Sequence, residues 1–265
     1  MNTENVSYST YLHLHELLSL QKLQSEPPTH SETLFIITHQ AYELWFKQLL
    51  HEVEKIKVDF KQNNLPEAIH IFKRICAIMK VLLEQIDIIE TITPLEFFSL
   101  RNMLKTASGF QSLQYWELEF TLGNKRSEII KHQRDNVTRL QLEQVLHKPS
   151  IYSYFYDFLE HREIVIPKEL REREHSLPPI PHQTIQDGLV KLYTEAFEVG
   201  ILLELMLDFD FSFQQWRYRH AKLAERTIGY VPGTAKTTGV PYLMQYVSNS
   251  FFPDLLACRS QFYNQ

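Results

Sequence analysis

The sequence predicts an all-α fold, on three observations. Glycine is scarce, with 7 in 265 residues against a usual share of about 7%, whereas sheet proteins use glycine freely in tight turns. Long stretches rich in Leu, Glu, Gln, Lys and Ile carry apolar residues at helical spacing. These stretches are bounded by explicit start and stop signals.

In chain order, residues 8 to 24 read as a short amphipathic helix ended by "EPP". Ser31 then suits an N-cap, with Glu32 in the first turn. From there to about Gln62 nothing breaks the helix, and Leu34, Ile37, Tyr42, Trp45, Leu49, Val53 and Ile56 recur along it. "NNLP" is a stop, and Pro66 fits the first position of a helix running to about residue 91. In "TITPLEFFSLRNML", Thr93 caps, Pro94 enters the first turn and Glu96 completes a capping box. The pattern resumes after a small-residue break at Ala107-Ser108-Gly109. Further helices are expected around 137 to 147, 149 to 160, 183 to 207, 211 to 228 and 253 to 263. The charged, proline-bearing stretch 162 to 182 reads as a surface connection and not a linker, because apolar helices on both sides still need partners. One all-α domain over 1–265 is the economical reading.

Composition narrows the function. Hydrophobic residues make up 44% of the chain, enough to bury a sizeable core. A net charge of −5 and a pI of about 6.2 argue against nucleic acid as a partner, since a general polyanion binder carries a basic excess. The two cysteines, Cys76 and Cys258, form no CxxC pair, so neither a zinc site nor a disulfide framework is expected. A reducing cytoplasm fits this usage. The first ten residues lack an apolar core, and no run approaches the length of a membrane span. Neither a secretion signal nor a membrane location is therefore expected.

Four features could carry chemistry. His39 sits mid-helix, with Phe35 one turn before and Glu43 one turn after. By spacing alone it reads first as a core histidine bonded to a neighbour. His220 follows Trp216 by one turn, and the small Ala221 and Ala224 would let a flat ligand approach. A buried neutral imidazole is a good iron ligand, and one axial histidine on a helix is a common haem arrangement. Arg101 follows Phe97 by one turn, about 6 Å along the axis, among apolar neighbours. An arginine facing a core needs an anion. A structural glutamate and a ligand carboxylate held bidentately both satisfy that need. Finally, "GYVPGTAKTTG" holds Gly229, Gly233 and Gly239, three of the seven glycines. It reads either as an ordinary helix-ending loop or as a mobile lid whose Thr234, Thr237 and Thr238 meet a polar ligand.

The ordered blocks "YSTYLHLHELLSLQ", "LFIITHQAYELWFKQLLHEV", "TPLEFFSLRNML", "ASGFQSLQYWELEFTLGNK", "PSIYSYF" and "WRYRHAKLAERTIG" resemble the tryptophan 2,3-dioxygenases, haem enzymes of the kynurenine pathway. The resemblance covers nearly the whole length, and the succession of blocks is more specific than any one of them. It implies a single helical haem-binding domain that cleaves the indole C2–C3 bond of L-tryptophan with O2, giving N-formylkynurenine. His220 would be the proximal ligand of a ferrous haem, of b type because no Cys-x-x-Cys-His attachment motif occurs. His39 would hydrogen-bond the indole N–H, and Arg101 would pair with the amino-acid carboxylate. Phe35, Phe97, Leu104 and Ser108 would line the pocket, and Thr234 would meet the substrate's ammonium and carboxylate. Tyr8 and Tyr11 match tyrosines that reach the pocket from a neighbouring subunit, which implies a homotetramer with segment 1–24 at an interface.

The chain also departs from the family pattern. The usual "HDE" is His30-Ser31-Glu32, and the usual arginine after "GFQSxQY" is Trp116. Ala235 and Lys236 replace two loop glycines, and a common "DLW" is Asp254-Leu255-Leu256. These changes keep two other readings in view: a related haem oxygenase placing one oxygen on an indole or aromatic amino acid, and a non-enzymatic haem-binding sensor bundle. Lys236 adds a cation beside Thr234, where the resemblance puts the substrate ammonium, and Ala235 and Lys236 have less backbone freedom than glycine. Ala235→Gly combined with Lys236→Gly is therefore expected to lower KM for L-tryptophan at fixed ionic strength. Unchanged KM, kcat and product would mark these positions as neutral.

Overall fold

A computed structural model describes residues 6–105, 107–232 and 238–263, and among them the regular structure is helical, without a strand. Two single turns, α1 (Tyr8–Tyr11) and α2 (Leu14–Leu17), replace the continuous helix expected over 8 to 24. Ser7 and Thr10 form a capping box at α1, but His13 takes a left-handed φ of 49° between the turns. Tyr8, Tyr11 and Leu18 are exposed, so this segment buries no apolar face that would sustain a longer helix.

The long helix α3 (His30–Lys61) starts two residues earlier than expected, with Thr29 and not Ser31 at the N-cap position. Ser31 is buried, and its hydroxyl donates instead to Glu96 Oε1 at 2.5 Å. Glu32 turns back and accepts the N–H groups of Gln24 (2.7 Å) and Ser25 (3.0 Å), closing the preceding loop. After α4 (Leu65–Ile89), with Pro66 in its first turn, comes α5 (Pro94–Leu104), opened by the expected Thr93–Glu96 capping box. A 3₁₀ turn at Gly109–Gln111 leads into α6 (Leu113–Leu122), α7 (Glu128–His132), α8 (Asn136–Leu146) and α9 (Ile151–Glu160). The chain closes with α10 (Lys168–Arg171), α11 (Gln183–Glu195), α12 (Phe197–Ile228), α13 (Val240–Gln245), α14 (Pro253–Ala257) and a 3₁₀ segment Cys258–Tyr263.

Helix α4 lies between α3 and α12, and α3 packs its other flanks on α6 and α9. The reason is visible in α4, where Ile71, Ile75, Ile78, Met79, Leu82 and Ile86 recur every three or four residues and are buried. Aromatic rings fill the centre: Phe60 meets Phe72, Phe155 and Phe158 at centroid distances of 5.2 to 6.2 Å. The connection 162 to 182 is less superficial than expected, because Ile164, Ile166 and Leu170 are buried. Ile164 packs directly on the backbone of α11, where a Cβ at Gly188 would lie 2.5 Å from its Cγ2. No helix among the described residues is long and apolar enough to cross a membrane.

The break expected near residues 208 to 210 lies instead at Ala196, and α12 runs unbroken for 32 residues. Asp210, which reads locally as a helix breaker, is buried inside α12. Its carboxylate accepts the Ser250 hydroxyl and the N–H groups of Phe251 (3.0 Å) and Phe252 (3.2 Å). A distant segment thus satisfies the group that would otherwise have disfavoured the helix.

Glu96 links the start of α5 to α3. The Ser31 hydroxyl, then the Thr93 N–H and hydroxyl, hold its carboxyl down to about 2 from an ordinary 4.5. A depressed carboxylate contributes stability above its unfolded value and loses it as pH falls through the folded one. The melting temperature of wild type minus that of Glu96→Gln should therefore shrink as pH falls from 4.5 towards 2. A difference flat across that window would show that Glu96 contributes no such linkage.

Candidate active site

A cavity of about 350 Å³ lies between α3, α5 and α12 and is closed by residues of α6 and α13, within the usual range for ligand pockets. His220 enters it from α12. Its ring stacks on Trp216, one turn earlier, with centroids 5.4 Å apart and planes 5° from parallel. Trp216 is fixed in turn by the edge of Phe46 at 6.0 Å. Burial, and secondarily the His39 charge, push the His220 pKa down to about 4. The imidazole is therefore neutral at neutral pH, with a lone pair available to a metal.

His39 faces the same cavity from α3. Its Nδ1 lies 2.7 Å from the Phe35 carbonyl oxygen. A carbonyl only accepts, so Nδ1 carries the proton and Nε2 presents a lone pair. Burial lowers the pKa of this ring too, against the opposing pull of the Phe35 carbonyl and Glu43. The Phe35 ring lies 4.1 Å from the imidazole and 6.1 Å from Phe97. Phe97 and Arg101 share one face of α5, and Arg101 Nη2 donates to the Pro232 carbonyl at 2.8 Å, reaching the end of the segment that follows α12. Ser108 caps the 3₁₀ turn by accepting the Phe110 N–H at 3.3 Å.

One buried ion pair supports this arrangement. Glu119 on α6 is 0% exposed and Arg217, one turn before His220, is 5% exposed. The pair is bidentate, Nε to Oε1 at 3.0 Å and Nη2 to Oε2 at 3.1 Å. Arg217 Nη1 also donates to the Asn249 carbonyl at 2.6 Å. Glu119 further accepts from the Tyr115 hydroxyl at 2.6 Å and from Asn124 Nδ2. Burial alone would depress the Arg217 pKa, but the Glu119 carboxylate reverses this and raises it. Burial and Glu119 likewise push the Tyr115 phenol upward.

The sequence model of the tryptophan 2,3-dioxygenase family matches residues 1–199. The tryptophan 2,3-dioxygenase of Herpetosiphon aurantiacus is 41% identical over 258 residues, covering 97% of this chain and 99% of that protein. Those of Serratia proteamaculans and Kineococcus radiotolerans are 35% and 36% identical, each covering 98% of this chain and 94% and 92% of their own. The chain belongs to the tryptophan 2,3-dioxygenase family. The all-α architecture agrees with that membership.

Of the residues expected at the site of a family member, the fold brings Phe35, His39, Phe97, Arg101, Leu104, Ser108 and His220 to this one cavity. Tyr8 and Tyr11 lie outside it, 77% and 73% exposed on α1. Thr234, with Ala235 and Lys236, falls outside the described residues. Gly229 ends α12 with a φ of 58°, and Gly239 opens α13 with a φ of 76°, conformations that glycine adopts without a steric cost. Trp116 donates its indole N–H to the Phe110 carbonyl at 2.7 Å and lines the cavity.

Sequence reasoning missed Arg217, Glu119, Arg126 and Tyr242 at the cavity or directly behind it. The "WR" ahead of His220 was the available signal for Arg217, since an arginine beside a buried tryptophan on the core side of a helix needs an acid. Removing one member of a buried pair typically costs about 3 to 5 kcal/mol, whereas apolar replacement of both costs far less. Glu119→Gln should lower the urea midpoint sharply, and the Glu119→Leu, Arg217→Met double variant should recover much of the loss. Equal midpoints for Glu119→Gln and wild type would show that the pair carries no such energy.

Proposed function

We propose that this chain cleaves the C2–C3 bond of L-tryptophan with O2 to give N-formylkynurenine, with haem held by His220. The observation that carries this reading is the meeting of two neutral imidazoles, on α3 and α12, in one largely apolar cavity edged by Arg101. The family is haem-dependent, and the residues present fit that group. His220 offers an unprotonated ring, with the small Ala224 one turn on lining the same cavity, whereas Ala221 is buried in the core. Among the described residues no cluster of three or more ligating side chains occurs. His220 would be the residue that holds the iron of such a group. When bound, haem supplies the binding and activation of O2.

The protein's part is position. Nε2 of His39 accepts the indole N–H, because Nδ1 is already committed to the Phe35 carbonyl. Arg101 pairs with the amino-acid carboxylate, and Thr234 meets the ammonium and carboxylate. Phe35, Phe97, Leu104 and Ser108 enclose the indole and keep water away. Holding both ends of the substrate fixes the C2–C3 bond relative to the oxygen it meets. Tyr8 and Tyr11 complete the pocket of a neighbouring copy in a cytoplasmic homotetramer, which accounts for their exposure on α1. The whole chain acts as one domain.

Mass analysis of the product from reduced protein, haem, L-tryptophan and ¹⁸O₂ tests the reaction. Two labelled oxygen atoms in the product support it, one supports mono-oxygenation, and a haem spectrum without turnover supports a sensor. His220→Ala should lose the haem spectrum, whereas His39→Ala should keep it with impaired turnover. Arg101→Ala should lower kcat/KM for tryptophan by the equivalent of about 2 to 5 kcal/mol, the usual loss for a buried charge pair. It should change turnover of tryptamine, which lacks the carboxylate, far less. Equal losses for both would reduce Arg101 to its contact with Pro232.

A further inference from the structure

The cavity is also lined by Arg126, which makes no ion pair among the described residues. Arg126 follows the turn at Gly123, where a φ of 112° reverses the chain after α6. Its neighbour Lys125 is satisfied by the carbonyls of Val145, Leu146 and Lys148 at 2.8 to 2.9 Å. Arg126 takes the other direction and lines the cavity, 8% exposed. Its guanidinium is sandwiched between two rings, 3.9 Å from the centroid of Tyr246 and 5.0 Å from that of Trp116. Its Nε and Nη1 are buried without a hydrogen-bond partner among the described residues. The Tyr242 hydroxyl, on the same cavity wall, is also buried without a well-formed hydrogen bond, and it lies near enough to Arg126 for that charge to oppose the rise of its pKa on burial.

Aromatic faces hold a cation but do not satisfy its N–H groups, and a buried unpaired charge is costly. The buried acid on α6 does not help, because Glu119 is saturated by Arg217, Tyr115 and Asn124. The planar fork of an arginine matches a carboxylate, so the missing partner is a carboxylate that arrives with a ligand. L-tryptophan has a single carboxylate, and Arg101 is placed to take it. Haem carries two propionates. Trp116 presents its face to Arg126, so the aromatic wall positions the cation without pairing its N–H groups.

We infer that Arg126, assisted by the Tyr242 hydroxyl, binds a haem propionate and anchors the cofactor from the wall formed by Trp116, Tyr242 and Tyr246. The inference rests on the haem reading above and assigns to this chain's own residues the task of retaining the group. Its assigned role is retention and not the reaction, so its loss is read in cofactor release.

The test is the rate of haem release from the holoenzyme to excess apomyoglobin, followed in the Soret band. Arg126→Gln should release haem about tenfold faster or more, the size expected for one charge-assisted pair, with Arg126→Lys and Tyr242→Phe intermediate. Wild-type protein reconstituted with haem dimethyl ester, which lacks the propionate charges, should release it as fast as Arg126→Gln releases haem. Arg126→Gln should not accelerate release of the ester further. The ester arm uses wild-type protein, so it stands even if the variant folds poorly. Arg101→Ala should release haem at the wild-type rate. Unchanged release in Arg126→Gln together with a raised KM for tryptophan would overturn the assignment in favour of the substrate carboxylate. Equal release of haem and its ester from wild type would overturn it outright. A wild-type protein that takes up no haem would overturn the haem reading and this inference together.

Discussion

The buried pair between Arg217 and Glu119 is the constraint on which the geometry of the cavity depends. It joins α12 to α6 at a point one turn from His220, and through the Asn249 carbonyl it draws in the segment leading to α14. Two charges removed from water are tolerated only when their remaining hydrogen-bonding capacity is filled. Here Tyr115, Asn124 and Asn249 do so. Tyr115 also packs on Phe46 and Trp216, so the residue that satisfies the acid also orients the indole on which the His220 ring is stacked. The position of one imidazole is thereby tied to a rigid polar network behind it, and not to the softer apolar wall alone.

The cavity that this network supports is what makes the histidines useful. Both imidazoles sit where desolvation disfavours the cation, and the charge of a protonated His39 further disfavours protonation of His220. His39 is directed further by its own backbone: the Phe35 carbonyl, one turn earlier on α3, accepts from Nδ1–H, which fixes the tautomer and leaves Nε2 as the acceptor. A helix can thus set which nitrogen of a histidine is acceptor without recruiting another side chain.

What was legible in the sequence follows the range of the forces involved. The Thr93-Pro94-Glu96 start of α5 is a local signal, and the structure reproduces it with Phe97 and Arg101 on one face. Ser31 also reads locally as a cap, but its hydroxyl is claimed by Glu96, 65 residues away. The continuity of α12 was hidden for the same reason, since Asp210 is answered by residues 250 to 252. His39 and His220 each read by spacing as ordinary core residues. Their convergence on one cavity was implied only by the resemblance of whole blocks, because 181 positions of chain separate them. Arg126 gave no sign at all. In "GNKRSE" it reads as one more surface cation beside Lys125, and only the fold shows that the two side chains take opposite fates.

That contrast bears on how a buried cation can reach one wall from different positions of the backbone. A site that must neutralise a carboxylate constrains where the guanidinium ends, and much less where its Cα begins, because the arginine stem is long and its apolar portion packs well. Replacing an arginine by tryptophan removes a cation but adds a broad electron-rich face. That face favours a cation approaching from elsewhere, and Arg126 now lies 5.0 Å from it. The two positions are therefore coupled: Trp116 without Arg126 would leave an apolar wall with no charge, and Arg126 without Trp116 would leave a guanidinium held by Tyr246 alone on its stacked faces. Changes at such positions should appear in pairs across relatives, since either one made singly leaves the wall with a defect that the other corrects.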